Sequence, residues 1–312
     1  MKRVTVTGAY GFIGRYVANA YHAAGFYVTG IGHGTWSAAE ARAWGIDEWH
    51  DADVNIDSLQ SYAQDCETIV HSAGSGSVGF SLMNPMKDFE RTVWTTHYVL
   101  EYIRVFSPQA RFLYPSSAAV YGSQKKLPLS PDQPLQPISP YGVHKKVVEE
   151  LCAMYASQYG VNIAVLRLFS VYGEGLKKQL LWDACCKLSR GKYDFWGTGE
   201  ETRDWIHVTD VARAFLFAGE KASAACPIFN VASGRAVTIA AILDCLFQAY
   251  GASARPFFGG EVNVGNPDHY EADIETITSW GWRPTVSLKK GIADYVRWYR
   301  QYEDSGLHTS SQ

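Results

Sequence analysis

The chain has 312 residues and a formal net charge of -3 at pH 7, and this length allows one large domain or two interwoven ones. Neither sign of charge comes in long blocks, so the sequence offers no basic surface for nucleic acid or for an anionic membrane, and we expect a small-molecule partner. No apolar run reaches the roughly 18 residues of a membrane span, and "MKRVTVTG" enters a strand without an apolar signal region, so we expect a cytoplasmic protein.

Strand and helix signals alternate through the first half of the chain. "VTVTG", "YVTGIG", "TIVHSAG", "RFLYPSS" and "IAVLRLFSVYG" are β-rich apolar runs separated by helical patterns. Such runs are typical of a parallel sheet covered by helices on both faces. We predict a doubly wound α/β Rossmann domain over residues 1–170. Gly-rich and aromatic segments follow, and they predict a smaller mixed α/β substrate-binding domain over residues 171–312, interwoven with the first.

The segment "TGAYGFIG" lies between the first predicted strand and the first predicted helix. Its glycines permit a tight turn and let backbone N–H groups approach a pyrophosphate, and the helix N-terminus adds partial positive charge. The pattern therefore predicts a dinucleotide site. Its residues are Gly8, Gly11, Phe12, Ile13 and Gly14.

The end of the second predicted strand, "GIGHG", lacks the acidic residue that normally accepts hydrogen bonds from the adenosine ribose. Gly32 stands in that position. A carboxylate there would repel a 2′-phosphate, and Arg15 and His33 are nearby donors that can meet one. We therefore predict NADP as the cofactor, with NAD as the alternative if Arg15 is a solvated helix residue and Gly32 only loosens selectivity.

"SPYGVHKK" places Tyr141 and Lys145 four residues apart at a helix start, hence on one face. An ammonium beside a phenol favours the phenolate, so this pair can exchange a proton with a sugar hydroxyl or a ketone. Upstream, "PSSAAVYG" offers Ser117 just after a predicted strand, where its hydroxyl can bond the same oxygen. We predict these three as the catalytic residues.

Taken together, these motifs resemble the extended short-chain dehydrogenase/reductase family, in its branch of nucleotide-sugar epimerases, dehydratases and reductases. The resemblance covers nearly the whole chain. It rests on "TGAYGFIG", "ADV", "HSAG", "SSAAVYG", "YGVHK", "RLFSVYGEG", "GTGEETRDWIHVTDVA" and "GWRP".

The resemblance implies roles for further residues. It places Asp53 and Val54 at the adenine, and Ala73 and Gly74 along the cofactor. Lys145 would also hold the nicotinamide ribose, and Arg203 would bind the diphosphate of a nucleotide sugar, a task that suits a forked guanidinium. Asp53 as a plain turn residue and Arg203 as a strand-edge charge remain open alternatives.

Three positions depart from the family pattern. Asn263 stands where a second phosphate-binding Arg is usual, Ser170 replaces an Asn that touches the nucleotide, and Thr92 replaces another common Asn. We still assign Ser170 to the substrate site. Compensation for the missing Arg by Arg255, or by Lys177 and Lys178, stays open.

The resemblance leaves two enzyme hypotheses and one of another class. The run Ser117-Ala118-Ala119 lacks the acidic pair of the family's 4,6-dehydratases. Because a reductase exchanges its cofactor every turn, Gly32 favours NADP(H)-dependent reduction of a nucleotide-linked 4-keto-(6-deoxy)hexose at C4, in deoxysugar or surface-polysaccharide biosynthesis. The alternative is an NAD-dependent UDP-hexose 4-epimerase. A non-catalytic cofactor sensor is the remote third hypothesis.

The resemblance also implies a homodimer, through the helix of "DFERTVWTTHYVLEYIR" and the helix bearing Tyr141. Val93, Val99, Leu100 and Ile103 form an apolar stripe that could serve this interface, and ordinary core packing is the alternative. The six cysteines show neither a CxxC pair nor His partners at metal spacing. We therefore expect buried thiols and no metal site.

Overall fold

The computed structural model describes residues 1–260 and 267–305. Its strands are β1 Arg3–Thr7, β2 Tyr27–Gly32, β3 Glu48–Asp51, β4 Thr68–His71, β5 Arg111–Ser117, β6 Asn162–Leu168, β7 Ser170–Tyr172, β8 Asp194–Phe195, β9 Thr202–His207, β10 Ile228–Val231, β11 Ala236–Thr238 and β12 Phe257–Phe258. Its α-helices are α1 Phe12–Ala23, α2 Ala38–Ala43, α3 Ile56–Tyr62, α4 Val78–Met83, α5 Pro85–Phe89, α6 Thr95–Phe106, α7 Pro140–Tyr159, α8 Gln179–Leu188, α9 Val208–Lys221, α10 Ile239–Tyr250, α11 Glu275–Ser279 and α12 Leu288–Asp304.

Seven strands form one sheet in the order β10-β6-β5-β4-β1-β2-β3. Every pairing in it is parallel. From β3 to β6 this is the strand order of a dinucleotide-binding doubly wound fold, which places the ligand outside the carboxyl ends of the strands. The predicted fold class is confirmed.

Helices cover both faces of this sheet, and each face has its own core. On one face α1 packs against α9, with Val17, Tyr21 and Phe215 buried between them and the strands. On the other face α3, α6 and α7 bury Leu59 and Val148 among their contacts. Two-sided burial explains why the strands read as continuous apolar runs and not as alternating ones.

After residue 170 the chain builds a second layer and also returns to the large sheet. β7, β9 and β11 form a small sheet, and β8 pairs with β12. These strands pack with α8, α10 and α12 around a third core. Between them, α9 covers the large sheet and β10 extends it. The cleft between the two layers contains the predicted site.

The apolar stripe predicted for a dimer interface lies inside the chain's own core. Val99, Leu100 and Ile103 are fully buried and Val93 nearly so. The stripe is therefore ordinary core packing. The exposed apolar side chains of this region lie just before α6, on another face of α6 and on α7: Trp94, Tyr98, Val105, Phe106, Val143, Met154 and Tyr159.

Within the described ranges, no helix combines the length and apolarity needed to cross a membrane. All six cysteines are free thiols, four of them buried. In the same part of the chain, no group of three or more metal-binding side chains comes together.

Candidate active site

A cleft of about 1150 Å³ opens at the carboxyl ends of the sheet strands. Its walls come from the glycine loop after β1, the ends of β4 and β5, the start of α7, and β7 and β9 of the second layer. Its size suits a large ligand or two ligands side by side. The cleft lies where the fold is expected to bind a dinucleotide.

The glycine loop is packed too tightly for side chains. A Cβ on Gly14 would lie 2.2 Å from the carbonyl oxygen of Gly8, and one on Gly8 would lie 2.5 Å from the backbone nitrogen of Ala73. Gly8 also has φ +69°, a left-handed conformation that favours glycine. With Phe12 and Ile13, Gly11 and Gly14 line the cleft at the N-terminus of α1. These residues fit a dinucleotide's pyrophosphate.

Carboxylates from the neighbouring strand stand near the position where the second strand lacks one. Gly32, the last residue of β2, pairs with Asp51 at the end of β3. His33 follows, with Nε2 2.8 Å from Asp53 Oδ1 and Nδ1 3.3 Å from Asp51 Oδ1. The hydrogen bond to Asp53 raises the pKa of His33. His33 is therefore bound between two carboxylates.

Gly32 itself has little room for a side chain. Its φ is +153°, and a Cβ would lie 3.3 Å from the backbone of Gly8. A non-glycine residue would strain the loop here. The backbone geometry therefore gives a reason for the absent acid that is independent of cofactor choice.

Arg15, predicted as a donor to a 2′-phosphate, has other partners. Its guanidinium donates to the carbonyl oxygens of Tyr10 and Gly11. It also lies 5.5 Å from the ring centroid of Trp36 and 5.3 Å from that of Trp44. Arg15 is thus held by aromatic faces and backbone oxygens. Both donors that favoured NADP are thus engaged.

The remaining cofactor residues predicted from the resemblance lie at the ends of β3 and β4. Asp53 and Val54 follow β3, and the Asp53 carbonyl accepts a hydrogen bond from Ser58. Ala73 and Gly74 follow β4, and the Ala73 N–H donates to Thr7. Gly74 lines the cleft with φ +137°. Both pairs therefore stand at the carboxyl edge, where the fold binds its ligand.

Ser117, Tyr141 and Lys145 come together in the cleft. Ser117 ends β5, and Tyr141 and Lys145 occupy the first turns of α7, which begins after the Ser139 cap. The Ser117 hydroxyl and the Tyr141 phenol are hydrogen-bonded. Lys145 Nζ donates to the carbonyl oxygen of Pro115 at 2.8 Å and lies 5.7 Å from the Tyr141 ring centroid.

Burial dominates the protonation of this pair. It raises the pKa of Tyr141 to about 12, against the lowering effect of the Ser117 hydrogen bond. It also lowers the pKa of Lys145 to about 8, against the raising effects of Asp88 and Glu149. Without a ligand, the phenol therefore stays protonated at pH 7 despite the neighbouring lysine. The chemistry available is proton exchange with an oxygen atom bound beside Ser117 and Tyr141.

Arg203 on β9 offers a positive charge to the other end of the cleft. Its Nη1 donates to the carbonyl oxygens of Thr202 at 2.8 Å and Asp268 at 3.0 Å. Across residues 1–260 and 267–305, no carboxylate lies within salt-bridge distance of it. Ser170 lines the cleft on β7 beside it. An anionic ligand group would give Arg203 the partner it lacks.

The candidates for the missing second Arg are separated by the structure. Lys178 lines the cleft and donates to the carbonyl oxygen of Gly76 at 3.3 Å. Lys177 instead lies over the ring of Tyr302 at 3.7 Å, and Arg255 is exposed and not among the residues that line the cleft. Asn263 lies outside the described residues. Thr92 is buried against α6.

Two residues at this site were not predicted from the sequence. Asp51 could have been predicted from the sequence, since it ends a strand and the carboxyl ends of adjacent parallel strands meet at one edge of the sheet. Tyr270 lines the cleft, and its ring stacks edge-on with Phe169 at 6.0 Å. Its hydroxyl is buried with no partner in the described part of the chain. Tyr270 lies outside the helices and strands, where periodicity gives no signal.

Comparison with known proteins identifies the chain. Residues 4–232 match the family model described as "NAD dependent epimerase/dehydratase family". The chain belongs to the NAD dependent epimerase/dehydratase family. The predicted resemblance to the extended short-chain dehydrogenase/reductase enzymes of nucleotide sugars is confirmed, and the protein is an enzyme of that family.

Curated relatives of this family member span nearly its whole length. A putative UDP-glucose 4-epimerase of Methanocaldococcus jannaschii is 29% identical over 95% of this chain and 98% of its own. UDP-glucuronate 4-epimerase 1 of Arabidopsis thaliana is 27% identical over 96% of this chain and 77% of its own.

Solved structures agree with the fold. UDP-glucose 4-epimerase of Thermotoga maritima, with UDP-glucose, gives a TM-score of 0.87 at 25% identity, over 96% of this chain and 99% of its own. UDP-glucuronic acid 4-epimerase of Bacillus cereus, with UDP-glucuronic acid and NAD, gives 0.86 at 25% identity over the same shares. The relatives named here are all 4-epimerases, which favours the alternative hypothesis over the reductase.

Proposed function

We propose that the protein is an NAD-dependent 4-epimerase of a UDP-hexose or UDP-hexuronate. This reverses the order of the two enzyme hypotheses drawn from the sequence. The observation that carries it is full-length similarity to 4-epimerases together with Ser117, Tyr141 and Lys145 in one cleft. The 4-ketoreductase becomes the alternative that the experiment must exclude.

The surroundings of the predicted adenosine site support NAD over NADP. Asp51 and Asp53 place two carboxylates beside His33, and carboxylates accept hydrogen bonds from ribose hydroxyls but repel a 2′-phosphate. Arg15, the other donor, already donates to backbone oxygens. The glycine loop would hold the pyrophosphate of either cofactor. A bound nicotinamide supplies the redox chemistry of the reaction.

The chain's own residues supply binding and proton transfer. Tyr141 exchanges a proton with the oxygen on C4 of the sugar, and Ser117 orients that oxygen by a hydrogen bond. The Lys145 ammonium favours the phenolate of Tyr141 as the proton leaves. Arg203 binds the diphosphate. Trp196, whose side chain is largely exposed at the cleft, offers a flat face to the nucleotide base.

Two assays on the purified protein test this function. The first is ¹H NMR of UDP-glucose, UDP-glucuronate and their N-acetylated analogues, with no cofactor added. We expect one of them to equilibrate with its C4 epimer, and Tyr141→Phe to remove the activity. The second follows NADPH absorbance with a nucleotide-linked 4-keto-6-deoxyhexose. NADPH oxidation there, with no epimer in the first assay, would overturn the proposal in favour of the reductase.

The homodimer stays a prediction, with a revised surface. Trp94, just before α6, and Tyr98 and Phe106 on α6 expose apolar area, and α7 adds Val143 and Tyr159. Exposed apolar side chains on two helices in contact are typical of an interface. We expect light scattering to give twice the chain mass at micromolar concentration. A monomer would refute the predicted dimer and leave the proposed enzyme function unaffected.

The cytoplasmic location and the two-domain division also stay predictions.

A further inference from the structure

A buried ion pair lies directly behind the catalytic helix. Asp88 on α5 is fully buried, and its Oδ2 lies 2.6 Å from Nδ1 of His144. His144 stands next to Lys145 on α7. The ring of Phe89 packs edge-on against the His144 ring, with 5.3 Å between the ring centroids. The pair therefore connects α5 to the turn of α7 that carries Tyr141 and Lys145.

The charge of Asp88 has little other compensation. Its second oxygen, Oδ1, is buried and has no hydrogen-bond partner among the described residues. Lys87, Glu90 and Arg91, its charged neighbours in sequence, are exposed. A carboxylate removed from water is costly unless it is paired or hydrogen-bonded, and the imidazole of His144, at 2.6 Å, is the partner present.

Tyr141 and Lys145 respond to this carboxylate. Burial is the largest influence on both, and beyond it the Asp88 charge raises the pKa of each. A low local dielectric lets one charge act strongly on its neighbours. Removing the Asp88 charge should therefore lower the pKa of both groups.

The other titratable groups near Tyr141 and Lys145 are neutral or already paired. They are His71, Tyr114, Glu149, Cys152 and Tyr270. Burial lowers the pKa of His71 and raises those of Tyr114, Cys152 and Tyr270, which keeps these four neutral. The charge of Glu149 is balanced by a bidentate ion pair with Arg167. Asp88 is thus the carboxylate near Tyr141 and Lys145 whose partner is an imidazole.

Building on the proposed 4-epimerase function, we propose that Asp88 and His144 are positioning residues: the charge of Asp88, moderated by its 2.6 Å contact with His144, sets the pH range in which Tyr141 and Lys145 exchange protons with the substrate. The two members act in opposite directions. The Asp88 charge raises the pKa values of Tyr141 and Lys145, and the contact with His144 offsets part of that charge.

The first test is the pH dependence of kcat/KM in single variants. Asp88→Asn keeps the shape of the side chain and removes its charge, so both limbs of the profile should move to lower pH by about one unit. His144→Asn leaves the carboxylate uncompensated, so both limbs should move to higher pH. Asp210→Asn is the matched control, since Asp210 is equally buried and paired but lies outside the cleft. Its limbs should not move.

The second test needs no turnover. In protein labelled with [ε-¹³C]lysine, the Lys145 resonance is assigned by its loss in Lys145→Arg and titrated from pH 6 to 10. The midpoint should fall by about one unit in Asp88→Asn and rise in His144→Asn. Midpoints and limbs that move no more than in Asp210→Asn would overturn the proposal and leave a purely structural pair. A shifted midpoint without turnover on any sugar nucleotide would instead refute the 4-epimerase function alone.

Discussion

Tyr141→Phe separates proton transfer from every other role of this side chain. The pKa of about 12 means that the phenol is neutral in the ligand-free protein at pH 7. The substitution therefore removes one neutral hydrogen bond, to Ser117, and leaves the ring in place. The free energy of unfolding should fall by only about 0.5–1.5 kcal/mol.

Turnover should respond far more strongly than stability. General acid–base catalysis contributes about 10²- to 10⁴-fold in rate, equivalent to about 2.7–5.4 kcal/mol of activation free energy. We expect kcat to fall by that factor in the C4-epimer NMR assay, with NAD affinity by isothermal titration calorimetry unchanged.

The matched control is Tyr102→Phe. The Tyr102 hydroxyl is buried on α6 and donates to the carbonyl oxygen of Ala63 at 2.9 Å, away from the cleft. This variant should lose a similar free energy of unfolding and keep its kcat. If Tyr141→Phe retains more than half of the wild-type kcat, the phenol is not the proton-transfer group and the assignment fails.

Three further predictions concern ligand binding. Arg203→Ala should raise KM for the nucleotide sugar by about 10- to 150-fold, which is equivalent to the loss of about 1.5–3 kcal/mol for a hydrogen bond to a charged group. Arg255 is an exposed arginine, so Arg255→Ala should leave KM unchanged. Equal effects of the two substitutions would show that Arg203 does not bind the phosphates. Gly14→Ala places a Cβ 2.2 Å from a backbone oxygen of the glycine loop. Because this overpacks the loop, calorimetry should show that NAD binds at least about tenfold more weakly. An unchanged NAD affinity would show that the glycine loop does not hold the pyrophosphate. The double substitution Asp51→Asn with Asp53→Asn should shift the ratio of NADP to NAD affinity towards NADP by about 3- to 30-fold, because each exposed charge pair contributes about 0.3–1 kcal/mol. A shift towards NAD would show that these carboxylates do not face the 2′ position.

The sheet and the meeting of Ser117, Tyr141 and Lys145 in one cleft were predictable because local sequence encodes them. Apolar runs buried on both faces and helix patterns between them predict a parallel doubly wound sheet, and the four-residue spacing of Tyr141 and Lys145 fixes their common helix face. The proposed preference for NAD was less accessible. It depends on Asp51, which reaches the site through the lateral pairing of β3 with β2.

Side-chain partners in three dimensions account for the other differences. Arg15 reads as a free helix cation, but the rings of Trp36 and Trp44, distant in sequence, hold it. Similarly, Asp88 and His144 are 56 residues apart, and no spacing rule brings them together. The 2.6 Å contact exists because α5 packs against α7.

The central claim, epimerisation at C4 within one cleft, is tested most directly by the fate of the hydrogen on C4. The protein is incubated with the UDP-sugar that it converts, deuterated at C4, in the absence of added cofactor, and the product is analysed by NMR and mass spectrometry. The proposed function predicts that the C4 epimer keeps its deuterium and that no external NADPH is needed. An epimer that has exchanged its deuterium for solvent hydrogen would contradict the claim, and so would NADPH consumption on a 4-keto sugar with no UDP-sugar converted to a C4 epimer.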